Sequence, residues 1–420
     1  MQLSLKDRDD RIRFDVLQDI FHDSCSDFPC KQWSARSEGY IGVVDDVLPA
    51  PSLECLPEPL IELDGKGAIV HYDILGLTYW MLTRIEEVER NDLDAHLRFP
   101  ATSSHAWRHG YLERPVVDEW LNILGQVILK VWPERVLRTH RFRVCVSHDV
   151  DVPSLYAFKS WKVITRIIMG HLFKRRDMKA LMTTLYLKFT TRRQLSPNDP
   201  YNTFEWLMDV SEANNLQSAF YFICGRTDKN KDADYELEHP VLRNLLCRIH
   251  KRGHEIGLHP SYGSFLLSEQ ITRESKRLKQ VCSEEGISQK LWGGRMHYLR
   301  WQQPTTLVAW ANAGMDYDAT LGYADKPGFR CGTCHEYPAF DPVSQQALNM
   351  RIRPLIVMEC TVLDEAYLGL GNNLEAAFQC MQNLKSTCKK VGGIYSLLWH
   401  NSYLTKQSER ELYLACIEGD

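Results

Sequence analysis

From about residue 143 onward, short apolar or β-branched runs alternate with stretches whose apolar residues recur at helical spacing. The runs at 144–150, 218–224, 255–259, 291–295, 316–321, 352–359 and 394–400 have the length and composition of buried strands. Between them, Leu278, Val281 and Cys282 form a stripe that stops at Gly286, and Pro304 opens a helix ending near Gly314. Phe378, Met381, Leu384, Cys388 and Val391 form another stripe, closed by Gly392-Gly393. Seven such βα units predict a parallel barrel in preference to an open sheet. Before residue 140 the pattern differs. Asp73 is placed to cap a helix through Ile74, Leu75, Tyr79, Leu82 and Ile85. Arg114-Pro115 opens a second, with Val117, Leu121, Leu124, Ile128 and Val131, until Pro133 stops it. The expected organisation is a small N-terminal α/β domain over 1–139, with a packing or recognition role, and a barrel over 140–420.

Composition narrows the classes. In 420 residues, 44% hydrophobic and 25% charged content is that of a globular chain, and a net charge of −4 argues against nucleic acid as partner. Met1 to Arg8 has no apolar leader core and no apolar run is long enough to span a bilayer, so neither secretion nor membrane spanning is expected. Thirteen scattered cysteines read as reduced thiols, which points to a cytoplasmic setting. Cys331-Gly332-Thr333-Cys334 has zinc-knuckle spacing without a matching second pair and is read the same way. His105 and His109 are expected to be loop histidines without a ligand role.

One segment departs from this balance. Residues 157–193 carry ten lysines and arginines against a single acid, Asp177. Trp161, Ile164, Ile168 and Leu172 recur at helical spacing, as do Leu181, Leu185 and Phe189. Such a stretch is either a basic amphipathic contact with an anionic membrane, in which Lys174, Arg175 and Arg176 take part, or a helical insertion with a solvated face.

Candidate chemistry begins at Ser147-His148-Asp149-Val150-Asp151. On a strand, Asp149 and Asp151 share a face and His148 takes the other. Two acids at the end of a buried strand call for a pairing partner, a metal or a catalytic role; capping a following helix would need only one. Three more motifs fall at expected strand ends: Gly253-His254-Glu255-Ile256-Gly257-Leu258-His259-Pro260-Ser261, Gly293-Gly294-Arg295-Met296-His297-Tyr298 and Leu397-Leu398-Trp399-His400-Asn401. Barrel active sites assemble at those ends. His259 is placed for ligation, whereas His254 and His148 are expected to be structural.

In this order the four motifs resemble those of the polysaccharide deacetylases, carbohydrate esterase family four, over roughly 140–420. The N-terminal region, with Arg98-Phe99-Pro100-Ala101 and Tyr111-Leu112-Glu113-Arg114-Pro115, resembles the domain preceding such barrels in bacterial surface-polysaccharide biosynthesis proteins. The resemblance implies an α/β fold, a distorted (β/α)7-type deacetylase barrel with a small N-terminal α/β domain. It implies Asp149 as base, Asp151 and His259 as ligands of a divalent metal (zinc), Arg295 pairing with the base, the Tyr298 backbone N–H at the oxyanion and His400 as acid. Leu398, Trp399 and Ser261 are expected on the substrate side. The family's second metal histidine, four residues after the first, is Gly263 here. Either Asp149 joins the ligands or His297 substitutes from the neighbouring strand end.

The expected function is metal-dependent removal of an N-acetyl or other acyl group from a nucleotide- or lipid-linked sugar in surface-polysaccharide biosynthesis. Its expected place is the cytoplasm, peripherally on the inner face of the membrane if 157–193 touches lipid. The alternatives are a catalytically silent barrel that binds carbohydrate or scaffolds a complex, and a glycosidase, disfavoured because no second carboxylate motif is seen at a strand end.

Overall fold

The computed structural model describes residues 1–6, 8–175 and 177–418, with the side chains of Lys174 and Arg175 left aside. Among the described residues, six strands precede residue 133: β1 (Gln2–Ser4), β2 (Arg11–Phe14), β3 (Cys30–Ser34), β4 (Val47–Pro51), β5 (Ile61–Asp64) and β6 (Gly67–Val70). They form a four-stranded sheet of order β1-β2-β6-β5 and a separate β3-β4 hairpin. Helix Ile74–Thr83 starts where the Asp73 carboxylate accepts from the Gly76 N–H. Helix Val116–Val131 starts after Pro115 and buries Val116, Val117, Trp120, Ile123, Leu124 and Val127. Full burial of each such side chain contributes about 1.5–3 kcal/mol, which holds this helix on the sheet.

The second body contains β7 (Arg143–Val150), β8 (Ser218–Ile223), β9 (Glu255–His259), β10 (Gly293–Gly294), β11 (Tyr317–Asp318), β12 (Tyr337–Asp341), β13 (Gln346–Ile352), β14 (Val357–Met358) and β15 (Ile394–Leu398). These nine strands form one sheet of order β12-β13-β11-β10-β9-β8-β7-β15-β14, parallel throughout except for the β12-β13 hairpin. β13 pairs with β11. The chain then runs on through Arg353 and Leu355, whose N–H groups donate to Asp318 and Leu321 oxygens at 2.9 and 3.0 Å. The Ile356 N–H next donates to the Ser396 oxygen at 3.2 Å, and β14 pairs with β15. Residues 346–358 thus bridge β11 and β15, closing a ring of seven strand positions.

The sequence pattern merged this bridge into one strand at 352–359 and drew 291–295 and 316–321 too long. The bridging segment changes neighbours midway, so no continuous alternation marks it. The outer faces of the ring present Val146, Phe220, Phe222, Ile256, Leu258 and Leu397 to helices Phe204–Ala213, Pro240–Lys251, Ser268–Glu284 and Leu374–Lys390. Inside the ring, Tyr221 and Tyr317 lie with hydroxyls 3.1 Å apart, packed with Ala219 and Ala319. A Cβ at Gly257 would meet the Tyr221 ring at 2.4 Å, and one at Gly293 the Tyr317 ring at 2.1 Å.

The two bodies have distinct apolar cores. A buried ion network joins them. Glu87 Oε1 accepts from Arg84 Nε at 2.8 Å within the first body and from Arg330 Nε of the barrel at 2.9 Å. Arg84 Nη2 also donates to Glu86 at 2.9 Å, so the four buried charges balance two against two.

The basic segment folds as helix Trp161–Met169, a wide turn over Gly170–Arg175 and helix Met178–Thr190. Ile164, Leu181 and Leu187 are buried. The side chains of Lys174 and Arg175 and the whole of Arg176, expected to take part in a membrane contact, fall outside the described residues. Among the described residues no helix is long and apolar enough to cross a membrane.

Candidate metal centre and active site

Parallel strands bring their C-terminal ends to one rim. Asp149 lies within β7 with Asp151 just past it, His259 ends β9, Arg295 and His297 follow β10, and His400 follows β15. Alternation sends Asp149 and Asp151 toward this rim and His148 outward, where it packs on Phe220 and bonds the Trp399 oxygen at 2.7 Å.

Three side chains converge. Asp151 Oδ1 is 3.3 Å from His259 Nε2, and Asp151 Oδ2 is 3.6 Å from His297 Nε2. Each ring is oriented through its other nitrogen: His259 Nδ1 donates to the Arg295 carbonyl at 2.6 Å, and His297 Nδ1 faces Asp232 Oδ1 at 3.2 Å. Asp151 Oδ1 and His259 Nε2 are buried and have no hydrogen-bond partner among the described residues. A carboxylate oxygen and two imidazole nitrogens within 4.8 Å of one another are a donor set that a divalent cation fits. At position 263 the glycine backbone instead bonds Thr227 Oγ1, at 2.7 Å.

Charge balance follows the same geometry. Burial opposes ionisation of Asp151, yet the facing His297 and His259 rings hold its carboxyl well below the usual range. Burial likewise opposes protonation of His297, but Asp151 and Asp232 outweigh it and push the imidazole up to about 9. Asp232, despite its burial, is held at about 2 by His297 and by the backbone N–H groups of Asp228 and Tyr262.

Asp149 is set apart from this trio by its arginine. Arg295 Nη1 donates to Asp149 Oδ1 at 2.8 Å, Nη2 to Ser147 Oγ at 2.8 Å and Nε to the Ala319 oxygen at 3.0 Å. The guanidinium also rests over the Tyr221 ring at 5.1 Å. With Oδ1 so held, Asp149 Oδ2 points to His259 Nε2 at 3.7 Å.

His400 Nε2 also stands 3.6 Å from Asp151 Oδ2, the oxygen that His297 faces. Its Nδ1 is paired with Glu359 Oε1 at 2.5 Å, and its backbone N–H donates to the same oxygen at 3.0 Å. Burial lowers the His400 affinity for a proton, but Glu359 overrides it and raises the imidazole to about 10. The loop bearing Tyr298 is held from the N-terminal body: Arg98 Nη1 donates to the Tyr298 oxygen at 2.8 Å, and the His96 ring lies 4.9 Å from that of Tyr298. Tyr298 itself has a left-handed backbone, with φ 61°. A cleft beside Asp151 is walled by Phe158, Lys231, Asp232 and Tyr235.

The structure thus brings together Asp149, Asp151, His259, Arg295, His297, Tyr298 and His400. It places the three substrate-side residues elsewhere. Ser261 is buried, its N–H and hydroxyl both donating to Glu274. Trp399 packs on Tyr413 and donates to the Tyr403 oxygen. Leu398 is sealed in an apolar cluster with Leu299, Ala324, Leu355 and Met358. His254 accepts from the Ser218 N–H at 3.1 Å. His105, though expected in a loop, is buried between Tyr111 and the Phe28 oxygen.

Two carboxylates were missed. Asp232 belongs to the acid-rich loop after β8 and Glu359 directly follows β14, so strand ends do carry further acids. Position at a strand end was the available signal for both. Their engagement with His297 and His400 is what the sequence could not show.

Residues 7–133 match a family of unknown function (DUF7033). No curated protein matches the sequence. Among solved structures, the chain is similar to a putative polysaccharide deacetylase from Mycobacterium smegmatis at 16% identity and a TM-score of 0.42, covering 67% of this chain and 85% of that one. It is similar to Puue allantoinase at 11% identity and a TM-score of 0.40, covering 66% and 84%. A probable polysaccharide deacetylase from Pseudomonas aeruginosa PAO1 is similar at 12% identity and a TM-score of 0.38, covering 66% and 84%.

Proposed function

We propose that the chain is a metal-dependent hydrolase that removes an N-acetyl or similar acyl group from an amino sugar, an intermediate of surface-polysaccharide synthesis. One observation carries this reading. His259 and His297, each fixed through Nδ1, turn their Nε2 atoms onto the Asp151 carboxylate, and two of the converging atoms are otherwise unpartnered.

Asp151, His259 and His297 would hold the cation, with zinc the best match to two imidazoles and one carboxylate. When bound there, it supplies polarisation of the acyl carbonyl and acidification of water. Asp149, its Oδ1 held by Arg295 and its Oδ2 turned toward the trio, takes the proton shed by the attacking water. The Tyr298 N–H, on a loop braced by Arg98, is assigned to the developing oxyanion. His400, protonated against Glu359, gives its Nε2 proton to the leaving amine.

Acetate or formate release from a panel of nucleotide- and lipid-linked amino sugars tests the reaction, and elemental mass spectrometry of the purified chain tests the metal. Stoichiometric zinc with release from at least one sugar is expected. A metal-free protein that binds sugars without release would leave a carbohydrate-binding barrel.

A further inference from the structure

We infer that the helical hairpin 161–190 is an interfacial anchor that seats this chain on an anionic lipid surface, with its cleft beside the membrane. The hairpin exposes apolar side chains in a way the rest of the molecule does not. Trp161, Val163, Met169, Leu172, Phe173, Met178, Met182, Tyr186 and Phe189 are all large, apolar and exposed, nine within 29 residues. In the second helix, Met178, Met182, Tyr186 and Phe189 follow one another at spacings of four, four and three, so they lie on a single face. Leu181, Thr184 and Leu187 occupy the opposite face and are buried. The two faces are therefore separately apolar, one buried against the protein and the other exposed. Of the stripe expected from sequence, Leu181 faces inward whereas Phe189 lies on the exposed face.

The first helix joins the outer face: Trp161 lies 5.3 Å from Phe189, ring to ring. Around this apolar strip stand Lys162, Arg166, Lys179, Arg192 and Arg193, all exposed. The lone acid of the segment, Asp177, is spent on capping the second helix at the Ala180 N–H, 2.9 Å away. Protruding Trp, Phe and Met flanked by cations is the chemistry of a helix lying in a lipid interface, and ten cations against one acid selects an anionic leaflet.

The hairpin is also tied to the cleft. Lys188 Nζ from the second helix donates to the Ala157 and Lys159 oxygens at 2.8 and 2.7 Å. The adjoining Phe158 and Lys159 line the cleft with Asp151 and Asp232. An anchor at this place would bring the cleft against headgroups, which suits a substrate on a lipid carrier. The attachment itself does not depend on the hydrolytic reading, because binding is measured without substrate.

The full chain is sedimented with phosphatidylglycerol–phosphatidylcholine vesicles and with pure phosphatidylcholine vesicles. Pelleting with the first only, reduced by salt, is expected. Two variants separate the contributions: Met178→Ser with Met182→Ser, Tyr186→Ser and Phe189→Ser, and Lys162→Ser with Arg166→Ser and Lys179→Ser. Each should lower vesicle affinity about tenfold or more. Every substituted side chain is exposed, so an unchanged melting temperature checks that folding is intact. Equal pelleting with both vesicle types, no pelleting with either, or unchanged affinity in both variants overturns the proposal. Oligomers in gel filtration, dispersed by the apolar variant while vesicles stay unbound, would assign the strip to a second copy instead.

Discussion

Asp232 and His297 come from different strand ends, after β8 and after β10, and meet with Oδ1 3.2 Å from Nδ1. This pairing aims the opposite ring nitrogen at Asp151. Carboxylates behind a ligating histidine fix its orientation and basicity, and losing one costs about 10–100-fold in metal affinity. Asp232→Asn should show a loss in that range and His297→Ala a larger one, both read by competition with a chromophoric chelator. Affinity equal to the parent in both would remove His297 from the ligand set.

The two rim aspartates should fail differently. Asp151 faces both imidazoles, whereas Asp149 Oδ1 is taken by Arg295. Asp151→Asn is expected to lose bound metal. Asp149→Asn should keep it and lose turnover by about 100-fold or more. Elemental analysis beside acyl-release rates decides the matter, and a metal-free Asp149→Asn protein would exchange the two roles.

Glu87 neutralises Arg330 across the junction between the two bodies, with all members of the network buried. Removing one partner from a buried pair costs about 3–5 kcal/mol. Glu87→Leu should therefore lower unfolding stability by about 3 kcal/mol in urea, and adding Arg330→Met should recover part of the loss. A double variant no more stable than the single would mean that the unpaired arginine is not the source.

Asp118 sets a pH slope. Burial pushes its carboxyl up to about 7, against the donations of Thr333 Oγ1 and the Cys334 N–H. In the unfolded chain it ionises near about pH 4. Between these values the unfolded state binds fewer protons than the folded one, so this group's contribution to stability falls as pH rises through the window. Asp118→Asn should flatten the decline of urea midpoints between about pH 5 and about pH 8. An undiminished slope would show that the carboxyl is already ionised when folded.

Much of the rim was legible because it depends on local rules. Period-two alternation puts Asp149 and Asp151 together, and strand ends gather His259, Arg295, His297 and His400. What escaped depends on contacts distant in sequence. Glu359 reaches His400 across 41 residues and Asp232 reaches His297 across 65. Ser261, the last residue of its motif, was drawn inward by Glu274. The closing segment 346–358 was blurred because its hydrogen bonds pass from β11 to β15 partway along. In the basic insertion, periodicity identified two helices but could not say which stripe faced the protein, since both faces of the second are apolar.

Gly257 and Gly293 carry a consequence for how the rim could change over mutational time. The rings of Tyr221 and Tyr317 occupy the space their side chains would take, and Tyr221 in turn supports the guanidinium of Arg295. The floor under Asp149 is thus stacked from bare main chain upward, ring on backbone and arginine on ring. Even one methyl at position 257 would be transmitted as displacement through Tyr221 to Arg295 and its carboxylate. The position of Asp149 is therefore inherited from two residues that have no side chain to vary.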